Sequence, residues 1–117
     1  MGTIFRMEDE NITMVRGNSL SFGLEIEGLD GDLEFAYFTC KKNLNDPNNI
    51  FQKTLGHGIS KLEEGKYVIR IAPTDTANVE AGNYFYDLTV GANGDVLTLV
   101  KGVFRIEQNM TEVSNNE

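Results

Sequence analysis

The chain has one cysteine, one histidine, two prolines and no tryptophan in 117 residues. Each scarcity removes a class of protein. With Cys40 alone no internal disulfide is available, so the sheets of a small domain must be held by packing; this fits synthesis in a reducing cytoplasm. His57 has neither a second histidine nor a nearby cysteine, so a zinc site has no ligand set. Between two glycines it reads as a solvated loop residue. Cys40 sits mid-strand beside no histidine and reads as a buried, unreactive thiol, because a thiolate needs an electropositive setting.

Positive charge is also scarce. Ten Lys and Arg face eighteen Asp and Glu, for a net charge of −8. Nucleic acid is excluded as a partner, since binding needs a basic patch against phosphates, and an anionic membrane surface is disfavoured on the same ground. No apolar run approaches the roughly 18 residues of a membrane span. The opening "MGTIFRMEDE" lacks the basic and apolar regions of a signal peptide. There is no Gly-rich phosphate loop, no G-x-S-x-G, no defensible Ser/His/Asp set and no privileged carboxylate pair. Three acidic turns (residues 7–11, 28–34 and 91–96) have calcium-attracting composition but lack the twelve-residue spacing of an EF-hand; they read as solvated turns. No catalytic residue, cofactor or metal is expected, and the chain reads as a non-enzyme.

What is present is a period of two almost everywhere. Residues 19–28 alternate Leu20, Phe22, Leu24, Ile26 with polar or small partners. Residues 33–42 are apolar on both faces, the mark of a central strand. A short strand (50–55), a hairpin turning at Glu64-Gly65 (59–73) and a hairpin turning at 91–95 follow. In the first hairpin Tyr67, Ile69 and Ile71 face in. In the second, Gly102 is expected to mark a bulge between Val96, Thr98, Val100 and Phe104, Ile106. Residues 11–18 read as an edge strand. Around 74–80, Thr74 or Asp75 is expected to cap a helical turn that Gly82 ends.

The sum is all-β: an immunoglobulin-like antiparallel β-sandwich of seven to eight strands with one short helical turn near residues 74–80. Residues 1–10 read as an N-terminal extension, 11–108 as the sandwich, and 109–117 as a polar tail or linker. The segment "EAGNYFYDLTV" (80–90) has the shape of a tyrosine corner. Tyr84 is its corner residue, after Gly82. Tyr86 stands where an antibody domain has a cysteine and fills the core with Leu88 and Val90. Phe85 and Asp87 fall on the other face, where Asp87 is expected to make structural hydrogen bonds. Whether the two meet water or another subunit is open, so they are the candidate interface.

Several segments together resemble a known family. "MVRGNSLSFGLEIEG" is similar to the opening of small phage and prophage tail proteins, "FAYFTCKKNLNDPNNIFQKTLGHGI" to their middle, and "APTDTANVEAGNYFYDLTVGANGDVLTLVKGVFRIEQNMT" to their end. The family is the baseplate upper protein N-terminal domain and related tail modules, and the resemblance spans about residues 12 to 111. Its pattern positions here are Arg16, Gly17, Lys41, Lys53, Thr76, Gly82, Tyr84, Tyr86, Asp87, Leu88 and Gly102, while Asn18 departs from the usual Asp. The resemblance implies a structural module of a tail or baseplate. Its partners would be other tail proteins or copies of itself, and its places the bacterial cytoplasm when made and the virion once assembled. The alternative is a carbohydrate-binding module, which predicts aromatics coplanar on one exposed face; Tyr67, Tyr84 and Tyr86 all exposed would favour it.

Overall fold

A computed structural model describes residues 4–6 (backbone only), 11–29 and 31–111. The strands are β1 (Ile4–Arg6), β2 (Ile12–Val15), β3 (Leu20–Glu27), β4 (Phe35–Lys41), β5 (Phe51–Leu55), β6 (Gly58–Glu63), β7 (Lys66–Ile71), β8 (Gly82–Ala92) and β9 (Asp95–Glu107). A one-turn helix, α1 (Pro73–Thr76), precedes β8. The ladder runs β1-β3-β7-β6-β5-β4-β8-β9-β2. It doubles back on itself at β5–β6, where only Thr54↔Gly58 and Leu55↔Ile59 pair, around Gly56 and His57. Three strands separate β3 from β4 in the order, yet the rings of Phe22 and Phe38 lie 5.6 Å apart. Two sheets therefore face each other, β1-β3-β7-β6 against β5-β4-β8-β9-β2. This is the sandwich expected from the sequence. Pairing is antiparallel except at the β5–β6 link and where β2 runs parallel to β9. Within the segment read as an extension, β1 pairs with β3. The acidic turn at 7–10 and the tail beyond 111 lie outside the described residues.

The alternation in the sequence becomes the core. Leu24, Ile26, Phe38, Cys40, Ile59, Tyr67, Ile69, Ile71, Tyr86, Leu88, Val90, Phe104 and Ile106 are all buried. Phe38 is its centre: it stacks on Tyr86 at 5.1 Å and meets Phe22, Phe51 and Phe104 at 5.6, 6.2 and 6.2 Å. Such contacts add to the 1.5–3 kcal/mol or so that each buried large side chain contributes by leaving water. An inter-sheet disulfide is replaced by this aromatic cluster. Tyr67 points inward as expected, and its hydroxyl accepts the buried N–H of Leu33 at 2.9 Å. No helix of the described residues is long and apolar enough to cross a membrane.

Three local expectations need correction. First, the helical turn is capped from within: Asp75, at its third position, accepts the N–H of Ala72 at 2.7 Å, so Ala72 is the cap position rather than Thr74 or Asp75. Second, Gly82 does not end the turn. The turn closes at Thr76 and Ala77, and Gly82 opens β8 with φ 153, a conformation that a residue without Cβ takes freely. Third, the bulge in β9 is at Leu99, not Gly102. Leu88 pairs with Val100 and Thr89 with Thr98, while Gly102 pairs regularly with Tyr86 and sets no side chain beside that phenol. As a result Val96 is not a core residue but is 69% exposed.

Candidate interaction face and the corner that supports it

The end of the sandwich around α1 is a polar clamp. Tyr84 is 2% exposed, and its hydroxyl donates to the Glu80 carbonyl, four residues upstream, at 2.5 Å. This is tyrosine-corner geometry. Lys42 Nζ lies 5.4 Å from the centre of the Tyr84 ring. Burial, then the nearby Glu80 and Cys40, raise the Tyr84 pKa. Arg16 donates from Nε to Asn109 Oδ1 at 3.1 Å and from Nη1 to the Val79 carbonyl at 3.3 Å. Gly17, with φ 81, donates its N–H to the buried Thr76 hydroxyl at 2.9 Å. One step away, Lys53 Nζ pairs with Asp75 at 2.5 Å, and the two side chains are only 15% and 16% exposed. The stem of Lys53 lies across Gly58, where an added Cβ would meet its Cδ at 2.6 Å. The clamp thus uses Arg16, Gly17, Lys53, Thr76 and Tyr84 to tie β2, β5, α1 and β8 together.

The other candidate residues lie on the outer face of the five-strand sheet. Phe85 stands between Lys41 of β4 and Val103 of β9, and Asp87 between Thr39 and Lys101. Phe85 and Asp87 are both half-buried. The Asp87 side chain makes no hydrogen bond or ion pair with any described residue, which corrects its expected structural role. Asp87 lies opposite Lys101 and one pair from Lys41, whose side chains likewise make no ion pair with any described residue. Sequence reading missed two aromatics of the same face, Phe35 and Tyr37, whose rings are 5.6 Å apart. Tyr37 is 41% exposed. Phe35 lies over Gly91, its ladder partner, where a Cβ would sit 2.3 Å from the ring. The signal was the glycine inside an apolar strand, a common sign of close approach. Where β5 leaves β4, an open groove of about 320 Å³ is lined by Glu34, Phe35, Tyr37, Thr54 and Leu55.

The chemically suggestive residues are placed inertly. Cys40 is fully buried, and burial pushes its pKa up to about 12. His57 is exposed, its backbone paired with Thr54. No three metal-ligating side chains gather among the described residues. Tyr67, Tyr84 and Tyr86 are buried, so these three form no exposed aromatic face.

No family model matches the chain, and no curated protein matches it. Solved structures do match in fold. CopC from Methylosinus trichosporium OB3b is 9% identical with a TM-score of 0.57, covering 96% of this chain and 100% of its own. Murine CRIg is 10% identical with a TM-score of 0.53, over 93% and 99%. A marsupial T cell receptor is 11% identical with a TM-score of 0.52, over 97% and 55%. At these identities the likeness is one of fold alone, an immunoglobulin-like β-sandwich.

Proposed function

We propose that the chain is a non-enzymatic structural module of a phage or prophage tail or baseplate, acting by protein–protein contact through the outer face around Phe85 and Asp87. The observation that carries the contact is a half-buried Asp87, whose side chain meets no partner among the described residues, beside a half-buried Phe85 at the centre of a broad sheet face. Removing such a carboxylate from water without a partner is costly, whereas a complementary surface supplies one. The tail assignment is supported by the sequence resemblance across residues 12 to 111. The deciding experiment is induction of a host carrying the gene, followed by gradient purification of the particles. The chain should co-sediment with tails; particles that lack it overturn the tail assignment. Phe85→Ala should remove it from particles while leaving its melting temperature within a few degrees. Unchanged incorporation would refute this face as the docking surface.

A further inference from the structure

Two of the acidic turns picked out in the sequence, 28–34 and 91–96, come together in the fold. The Glu34 N–H donates to the Gly91 carbonyl at 2.7 Å. Asn93 Nδ2 donates to the Gly28 carbonyl at 3.2 Å, and the Gly94 N–H donates to Glu34 Oε2 at 3.2 Å. These bonds tie the β3–β4 connection to the tip of the β8–β9 hairpin. The last two hold the chain's single Asn-Gly pair. In such a pair the backbone nitrogen of the second residue can attack the side-chain amide carbon of the first, and a glycine hinders that attack least. Asn93 and Gly94 are both exposed, so water reaches them and conformation has to protect them. It does so in two ways. Ring closure needs Gly94 N on the same side of the Asn93 Cα–C bond as Cβ. Asn93 has φ 55, and left-handed backbone has a ψ of about +47°, which turns that nitrogen almost trans to Cβ. The attacking nitrogen must also lose its proton. The Glu34 carboxylate accepts that N–H, and its charge opposes the amide anion that would form.

We propose that Asn93 is a site of self-modification by deamidation, held shut by its tie to Gly28 and by the hold of Glu34 on Gly94. When the tip opens, Nδ2 leaves the Gly28 carbonyl and the backbone rotates. Gly94 N gives its proton to solvent and bonds to Asn93 Cγ. The Cγ–Nδ2 bond breaks, and Nδ2 takes up a proton and departs as ammonia. The five-membered succinimide that remains is opened by water at either carbonyl. One opening gives aspartate; the other gives isoaspartate, with the main chain rerouted through Cβ. No oxidant or reductant is needed. Neither product restores the tie. Each lacks the Nδ2 donor and adds a negative charge near Glu34, and isoaspartate adds a backbone atom to a turn whose register depends on two residues. The reaction is a one-way loosening of this end of the sandwich, and its rate reports how often the tip opens. It stands whether or not the assembly is a tail.

The full chain is incubated at neutral pH, folded or unfolded in urea, and peptide mapping by mass spectrometry follows aspartate and isoaspartate at each asparagine. Asn93 should convert first in urea, and about tenfold or more slowly in the folded chain. Another asparagine leading in urea overturns the site, and equal folded and unfolded rates overturn the protection. Glu34→Ala should speed the folded reaction about tenfold, the worth of a bond to a charged acceptor. It should leave the rate in urea unchanged, because Glu34 is distant along the chain. Glu34→Gln keeps an acceptor and drops the charge, so it should speed the folded reaction about threefold; it carries this arm should Glu34→Ala fail to fold. A folded rate that neither variant moves refutes the role of Glu34. Asn93→Asp, which reproduces one product, should melt a few degrees lower than the parent. An unchanged melting temperature refutes the loosening.

Discussion

Breaking the Lys53–Asp75 pair tests most directly how the α1 end is held. In Asp75→Ala two things are lost. Ala72 N–H loses the acceptor at 2.7 Å that starts α1, which costs about 1 kcal/mol by analogy with other helix caps. The Lys53 ammonium loses its counter-ion while only 15% exposed. A fully buried orphan charge costs about 3–5 kcal/mol; the remaining exposure, and the freedom of a lysine stem to swing toward water, bring this to about 2 kcal/mol. A total near 3 kcal/mol lowers the melting temperature by about 12 °C for a domain of this size. Lys53→Met should cost less, about 1 kcal/mol, because Asp75 keeps its bond to Ala72 and a carboxylate near a helix start is favourably placed. The double variant should be less damaging than its parts, with a coupling of about 1–2 kcal/mol. Urea unfolding of the four proteins, with m-values checked for constancy, measures that coupling. Coupling near zero, or an Asp75→Ala cost below about 0.5 kcal/mol, would mean the pair behaves as an ordinary surface salt bridge and would refute the assigned tie between β5 and α1.

Two further outcomes follow from the same geometry. Tyr84→Phe removes the bond to the Glu80 carbonyl without emptying the core, and should cost about 1–1.5 kcal/mol, or about 4–6 °C in a thermal melt; an unchanged melting temperature would show that the corner bond contributes nothing. The Cys40 thiol, raised from 9.0 to about 12 by burial, holds its proton more tightly folded than unfolded, so its stability contribution is complete below pH 9 and drains away as pH rises toward 12; melts from pH 9 upward should fall more steeply for the parent than for Cys40→Ala, and equal slopes would sink the assignment.

Much of the fold was legible because the sheets have clean wet and dry sides. Leu20 to Ile26 and Tyr67 to Ile71 each place alternate residues in one core, and local alternation is all that this requires. The Asn93-Gly94 turn was equally local: both residues have positive φ, 55 and 83, as a two-residue hairpin demands. The bulge was not legible. Leu97, Thr98 and Leu99 are plausible on either face, and the register that isolates Leu99 is set by β8 across the ladder. Gly102 looked like the irregularity because glycine usually marks one, but here it only faces Tyr86.

By itself the sequence determined the all-β class, the inward face of nearly every strand and the corner role of Tyr84, since each depends on neighbours within a few positions. Only the tertiary structure decided what Asp75, Arg16 and Asp87 do. Asp75 meets Lys53, 22 positions away along the chain, Arg16 meets Asn109, 93 away, and the Asp87 side chain meets no described partner because Lys101 stands opposite without closing on it. Polar contacts between distant segments leave no period in the chain, since one pair of side chains is enough to make them and any loop between is long enough to allow them.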